Sequence, residues 1–138
     1  MDDLQRFVDA QNAGDTYQSA LSELRAGYKR GHWMWFVFPQ IAGLGRSATA
    51  QHFAISGMDE AVAYLAHPVL GPRLKESAKV LTDSPETDAV KVFGAVDAQK
   101  LQSSMTLFLR ADPTQPLFKD VLERYFDGQA DAATDQRV

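Results

Sequence analysis

Two groups of residues in this chain have the types and spacing that chemistry needs. The first lies in residues 31–47, GHWMWFVFPQIAGLGRS, which hold both tryptophans of the protein. His32 could transfer a proton near neutral pH. Trp33 and Trp35 could anchor a core or line a pocket that stacks a flat ligand. Gln40, Gly43, Gly45, Arg46 and Ser47 could meet an anion with an amide, a guanidinium and the backbone N–H groups of a helix start; the plainer reading is a tight turn followed by a capped helix. The second group is Asp97, Lys100 and Ser104, whose spacing places them on one helical face. That triplet could bind a phosphate or ribose, or position water, whereas in a purely structural role Asp97 caps, Lys100 is solvated and Ser104 bonds its own helix. Together His32, Asp97, Lys100 and Ser104 are the expected catalytic set, and the tryptophans and the glycine-rich exit are the expected ligand-binding set.

Several chemistries find no motif. Neither GxxxxGK[ST] nor GxGxxG occurs, so a P-loop and a dinucleotide fingerprint are absent. Serine acylase patterns GxSxG and SxxK are missing too. His32, His52 and His67 stand far apart without an HExxH pattern, so no metal and no other cofactor are expected. The chain has no cysteine, which excludes disulfides and thiolate chemistry and makes a reducing cytoplasm the simplest home.

The elements that must position these residues read as helices. Leu4, Phe7 and Val8 recur at helical spacing before a break at residues 12–14. Asp15 then offers an N-cap oxygen with Gln18 as its capping-box partner, and Tyr17, Ala20, Leu21, Leu24 and Tyr28 share a face that ends at Gly27 and Gly31. Arg25, Lys29 and Arg30 read as cations at that helix end. The run 33–38 has no polar residue, so its period is illegible and it is either a helical turn or an extended core segment closed by Pro39. Ser47 or Thr49 can cap a short helix toward Phe53 and Ile55. The next helix begins between Ser56 and Asp59, turns Ala61, Val62 and Leu65 inward, and stops before Pro68. Another follows to Leu81, burying Leu70, Leu74, Ala78 and Leu81.

After a polar loop at 83–87, a short segment 89–93 and Gly94, a helix capped by Asp97 is expected. Pro116 then opens the last strong helix, with Leu117, Phe118, Val121, Leu122 and Tyr125 inward, and the tail 129–138 is expected to be frayed or weakly helical. No pair of alternating strands can be found. The expected fold is therefore all-α, a compact single-domain multi-helix orthogonal bundle without significant sheet, spanning 1–138 with its ordered core at about 4–127.

At 138 residues the chain suits one core that buries roughly 65 to 70% of its unfolded surface. Eighteen acidic against fourteen basic side chains give a net charge of −4, which disfavours nucleic acid as a partner. The acidic, amphipathic opening lacks the pattern of a signal peptide, and no apolar run reaches the roughly 20 residues of a membrane span.

The combination GHWMWFVFPQIAGLG, AVAYLAHPVLGPRL and FGAVDAQKLQSSMTLF resembles a bacterial family called domain of unknown function 1810, whose members are sometimes labelled calpastatin. The likeness runs from Leu4 to about Phe126 and implies an all-helical single domain with a site in these motifs, without implying a reaction. A looser similarity to helical NADAR domains, which act on ADP-ribose-type N-glycosidic linkages, tilts the ligand toward a nucleotide or sugar phosphate. The resulting expectation is a small cytoplasmic protein that binds, and as an enzyme would hydrolyse, a nucleotide or ADP-ribose-like metabolite in a pocket of Trp, His and Lys. The alternative is a non-catalytic metabolite sensor or an adaptor for a protein partner. Protease inhibition, which the calpastatin label suggests, is rejected because a compact chain differs physically from a disordered inhibitor.

Overall fold

The computed structural model describes residues 3–138; the first two residues of the acidic opening lie outside it. Every regular element among these residues is helical, and the one extended feature is an isolated parallel bridge between Ile41 and Ile55. In chain order the helices are α1 (Gln5–Asn12), a 3-10 turn (Ala13–Asp15), α2 (Thr16–Ala26), α3 (Met34–Val37), α4 (Ala48–His52), α5 (Met58–Ala66), α6 (Leu70–Asp83), α7 (Ala89–Phe93), α8 (Ala95–Ala111), α9 (Pro116–Phe126) and α10 (Ala132–Asp135). Their apolar faces meet in one cluster that includes Phe7, Leu24, Trp33, Tyr64, Leu74, Phe108 and Phe118.

The aromatic run settles as a helix because its buried carbonyls find partners. α3 is a single turn, too short to pair its own last C=O groups. The Phe36 carbonyl is instead met by Gln11 Nε2 at 2.7 Å, from a glutamine that is itself buried in α1. Pro39 ends the run, and Ile55 then grips the following segment from both sides. Its N–H donates to Gln40 O and its carbonyl accepts from Ala42 N, each at 2.8 Å. Those two bonds fix the chain that carries Gln40 and Gly45.

Several expected details differ. Asp15 stands at the N-cap of α2 in left-handed backbone (φ 60°) and its side chain caps nothing; Thr16 bonds the Ala13 carbonyl instead. Gly27 ends α2 in a Schellman arrangement, with Gly27 N–H to Leu24 O and Tyr28 N–H to Glu23 O, both 3.1 Å. Tyr28 thus falls beyond the helix and is exposed. α5 buries Glu60, Ala61 and Tyr64 rather than Val62, because Arg6 pairs with Glu60 at 3.1 Å and turns that face inward. α8 starts at Ala95 with Gly94 in the N-cap position, so Asp97 lies in its first turn and is not the cap.

Of the two forms expected for the tail, the structure shows the weakly helical one, the single turn α10 held against α8. Asp131 caps α10 by accepting from Thr134 N and Oγ1, its own N–H donates to Thr106 Oγ1 at 2.9 Å, and Arg110 grips Asp135 with two hydrogen bonds of 2.8 and 2.9 Å. Buried Thr134 completes the seat of α10 on α8.

Candidate functional site

The first half of α8 faces the segment that follows the aromatic run, and Lys100 joins them. Its Nζ sits 4.8 Å from the centroid of the Trp35 ring and 3.8 Å from Asp97 Oδ1. The second distance is an ion pair without a hydrogen bond. Asp97 reaches its firmer partner on the other side, Lys29 Nζ at 2.8 Å from Oδ2. Lys29 is the more buried lysine, its side chain 7% exposed against 21% for Lys100, and it also lies 5.0 Å above the Trp33 ring.

The sequence places Lys29 as a cation at the end of α2. Gly27 stops that helix earlier, and the Lys29 N–H donates to Val92 O at 2.8 Å, which carries the lysine over to the start of α8. Below it, Glu23 Oε1 accepts from the N–H groups of Arg30 and Gly31 and from the Trp33 indole, at 2.6, 2.8 and 3.0 Å. Burial alone would raise the Glu23 carboxyl, but these three donors outweigh it and hold it below the usual carboxylate range.

A cleft of about 240 Å³ runs along α8 beside Lys100. Gln40, Leu44 and Gly45 form one wall, and Val96, Gln99, Lys100 and Ser103 on α8 form its floor. Asp131 and Ala133 at the start of α10 close the far side. Ser103 Oγ donates to Asp131 Oδ2 at 3.0 Å, the same oxygen that takes both donors of Thr134. Oδ1 of Asp131 and the side-chain amides of Gln40 and Gln99 have no hydrogen-bond partner among the described residues.

Of the expected catalytic set, the structure brings together Asp97 and Lys100 and separates the other two. His32 is exposed and does not line the cleft. Ser104 is fully buried and its Oγ has no partner, so the hydroxyl that reaches the cleft belongs to Ser103. Of the expected ligand-binding set, Gln40 and Gly45 line the cleft and Trp35 lies beneath Lys100. Trp33 is 2% exposed and is a core anchor. Ser47 caps α4 through Ala50 N at 3.0 Å, and Arg46 is exposed at that helix start, so neither lines the cleft. Gly43 has positive φ and lies against the Arg137 side chain instead.

Gln99, Ser103 and Asp131 were missed. At 3.6 residues per turn Ser104 lies about 40° from Lys100 and Ser103 about 60° on the other side of the stripe, so spacing alone favours Ser104. Asp131 carried one legible signal, its place three residues before Thr134 in a cap pattern. Among the described residues no group of three or more His, Asp and Glu side chains converges as metal ligands would. No described helix is long and apolar enough to cross a membrane.

The family model described as Protein of unknown function (DUF1810) matches residues 1–138. The fold also matches the crystal structure of the conserved hypothetical protein Rv1873 from Mycobacterium tuberculosis, with a TM-score of 0.93 and 48% identity over 97% of this chain and 94% of that one. No curated protein matches the chain.

Proposed function

The chain belongs to the DUF1810 family, and we propose that its cleft along α8 binds a small anionic metabolite of the nucleotide or sugar-phosphate type. The observation that carries this reading is the Lys100 ammonium. It is held over Trp35, and its N–H groups meet no acceptor at hydrogen-bond distance among the described residues. A lysine whose stem is packed while its donors stay free is placed to meet an anion, and a ring face beneath it keeps it positioned in the ligand's absence. Asp97 supports the position but is already committed to Lys29, so it neutralises Lys100 only in part.

The volume limits the ligand. About 240 Å³ lies below the roughly 300 to 1,000 Å³ of sites that enclose drug-sized molecules. A mononucleotide or smaller sugar phosphate suits it, and most of an ADP-ribose would stay outside.

Binding without turnover is the reading favoured within this proposal. Hydrolysis needs a base that reaches a bound water. His32 is away from the cleft, Ser104 is sealed in the core and Asp97 holds two lysines, which leaves Asp131 as the carboxylate on the wall. A metabolite sensor in a reducing cytoplasm therefore fits the site and the cysteine-free composition together.

Thermal unfolding tests the proposal with inorganic phosphate, AMP and ribose 5-phosphate as probes. A probe present at 100 times its dissociation constant stabilises the wild type by about 2.7 kcal/mol. Lys100→Met keeps the apolar stem over Trp35, so it should unfold like the wild type and lose this stabilisation. Equal stabilisation of both proteins, or none in either, would contradict the proposal.

A further inference from the structure

We infer that the cleft selects a phosphorylated polyol, a sugar phosphate, over a nucleotide whose base is read. The inference rests on Lys100 as the anion's partner and narrows what the remainder of the ligand must be.

A base needs an open flat face. Neither tryptophan offers one. Trp33 is buried in the core under Lys29. Trp35 has Lys100 on its ring, and the gap it shares with Ile41, Gly45 and Phe53 is about 10 Å³, at the limit of what one water fills. Among the described residues no aromatic side chain lines the cleft along α8, whose apolar members are Leu44, Val96 and Ala133. These small side chains suit the C–H face of a sugar.

The polar members suit hydroxyl groups. Each carboxamide, Gln40 and Gln99, offers two donors and an acceptor, while Asp131 Oδ1 only accepts. A hydroxyl donates and accepts at one atom, so a run of hydroxyls can use all three side chains; a phosphate oxygen cannot use the carboxylate. The order along α8 fixes the polarity. Ser103, which holds Asp131, lies three residues beyond Lys100, about 4.5 Å further along the helix axis. The ligand's phosphate therefore belongs at the Lys100 end and its hydroxyls at the Asp131 end, where a second negative charge would be repelled.

Calorimetric titration of the full chain with ribose 5-phosphate, inorganic phosphate and AMP separates the two levels of the reading, and Gln99→Leu supplies the variant. Gln99 is exposed on α8 and leucine is a good helix former, so the fold should persist. Ribose 5-phosphate should bind at least about tenfold more tightly than inorganic phosphate. Gln99→Leu should remove that advantage, and Lys100→Met should weaken binding of both probes; an advantage that persists in full in Gln99→Leu overturns the polyol inference. If ribose 5-phosphate binds no better than inorganic phosphate, or AMP binds more tightly than ribose 5-phosphate, the polyol inference is overturned while the role of Lys100 stands. If Lys100→Met binds every probe as the wild type does, the underlying reading of the site fails as well.

Discussion

At the scale of single residues, the two lysines that share Asp97 do different work. Lys29 is almost fully buried and sits 2.8 Å from the carboxylate, whereas Lys100 is partly exposed at 3.8 Å. Removing Lys29 leaves a carboxylate without its close partner, so Lys29→Met should cost about 3 kcal/mol, near the lower end for breaking a buried pair because Asp97 keeps some solvent. Lys100→Met should cost under about 1 kcal/mol, as a partly exposed pair contributes little. Urea unfolding of the two variants checks the order, and equal losses would contradict it. Glu23 gives a pH dependence of known sign. Its folded value lies below the ordinary 4.5, so the stability it contributes is complete above pH 4.5 and is lost as pH falls through the lower folded value. The stability difference between wild type and Glu23→Gln should therefore stay constant above pH 4.5 and shrink below it. Sequence spacing grouped Lys100 with Asp97 but did not bring in Lys29, because a cation two residues past a helix end looks the same whether it stays in solvent or is carried across to another helix.

At the scale of elements, the helices were legible wherever an apolar stripe was long. α6 buries Leu70, Leu74, Ala78 and Leu81, as its periodicity predicts. Starts and short pieces were harder. Asp97 carries a good capping side chain, yet Gly94 ends α7 and begins α8 at one residue, leaving no room for a later cap. The run 33–38 was illegible because a continuous apolar stretch has no period, and its helical turn depends on Gln11, a partner more than twenty residues away. Two substitutions probe element geometry. A Cβ on Gly71 would lie 2.1 Å from the Leu65 carbonyl oxygen, so α5 and α6 meet there backbone to helix. Gly71→Ala should destabilise by roughly 1 to 3 kcal/mol or more, since a carbonyl cannot rotate away as a side chain can. Asp127 ends α9 in left-handed backbone at φ 54°. Replacing it with glycine removes a strain of about 1 kcal/mol and should raise the melting temperature. A higher melting temperature for Gly71→Ala, or a lower one for Asp127→Gly, would contradict these assignments.

At the scale of the whole molecule, the cleft is a product of three distant stretches that only folding brings together. Residues 40–45 are pinned by Ile55, α8 supplies the floor, and the C-terminal segment supplies the last wall. The all-helical architecture could be read from sequence, and so could the glycine-rich stretch that carries Gln40 and Gly45. The third wall could not, because a short polar segment is tied down by distant partners on α8, among them Gln102, Ser103, Thr106 and Arg110. An Arg110→Ala variant removes two of those bonds at an exposed pair. It should lower global stability by no more than about 1 kcal/mol while loosening the segment, which amide hydrogen exchange confined to residues 129–138 would register. The central claim is that this three-walled cleft is where a small anionic metabolite sits. Nuclear magnetic resonance titration of the labelled full chain with ribose 5-phosphate tests it most directly. The expected result is saturable shifts in the amides of Gln40, Gly45, Gln99, Lys100 and Asp131 that disappear in Lys100→Met, whereas shifts clustered around His32 and Arg46, or none at all, would contradict it.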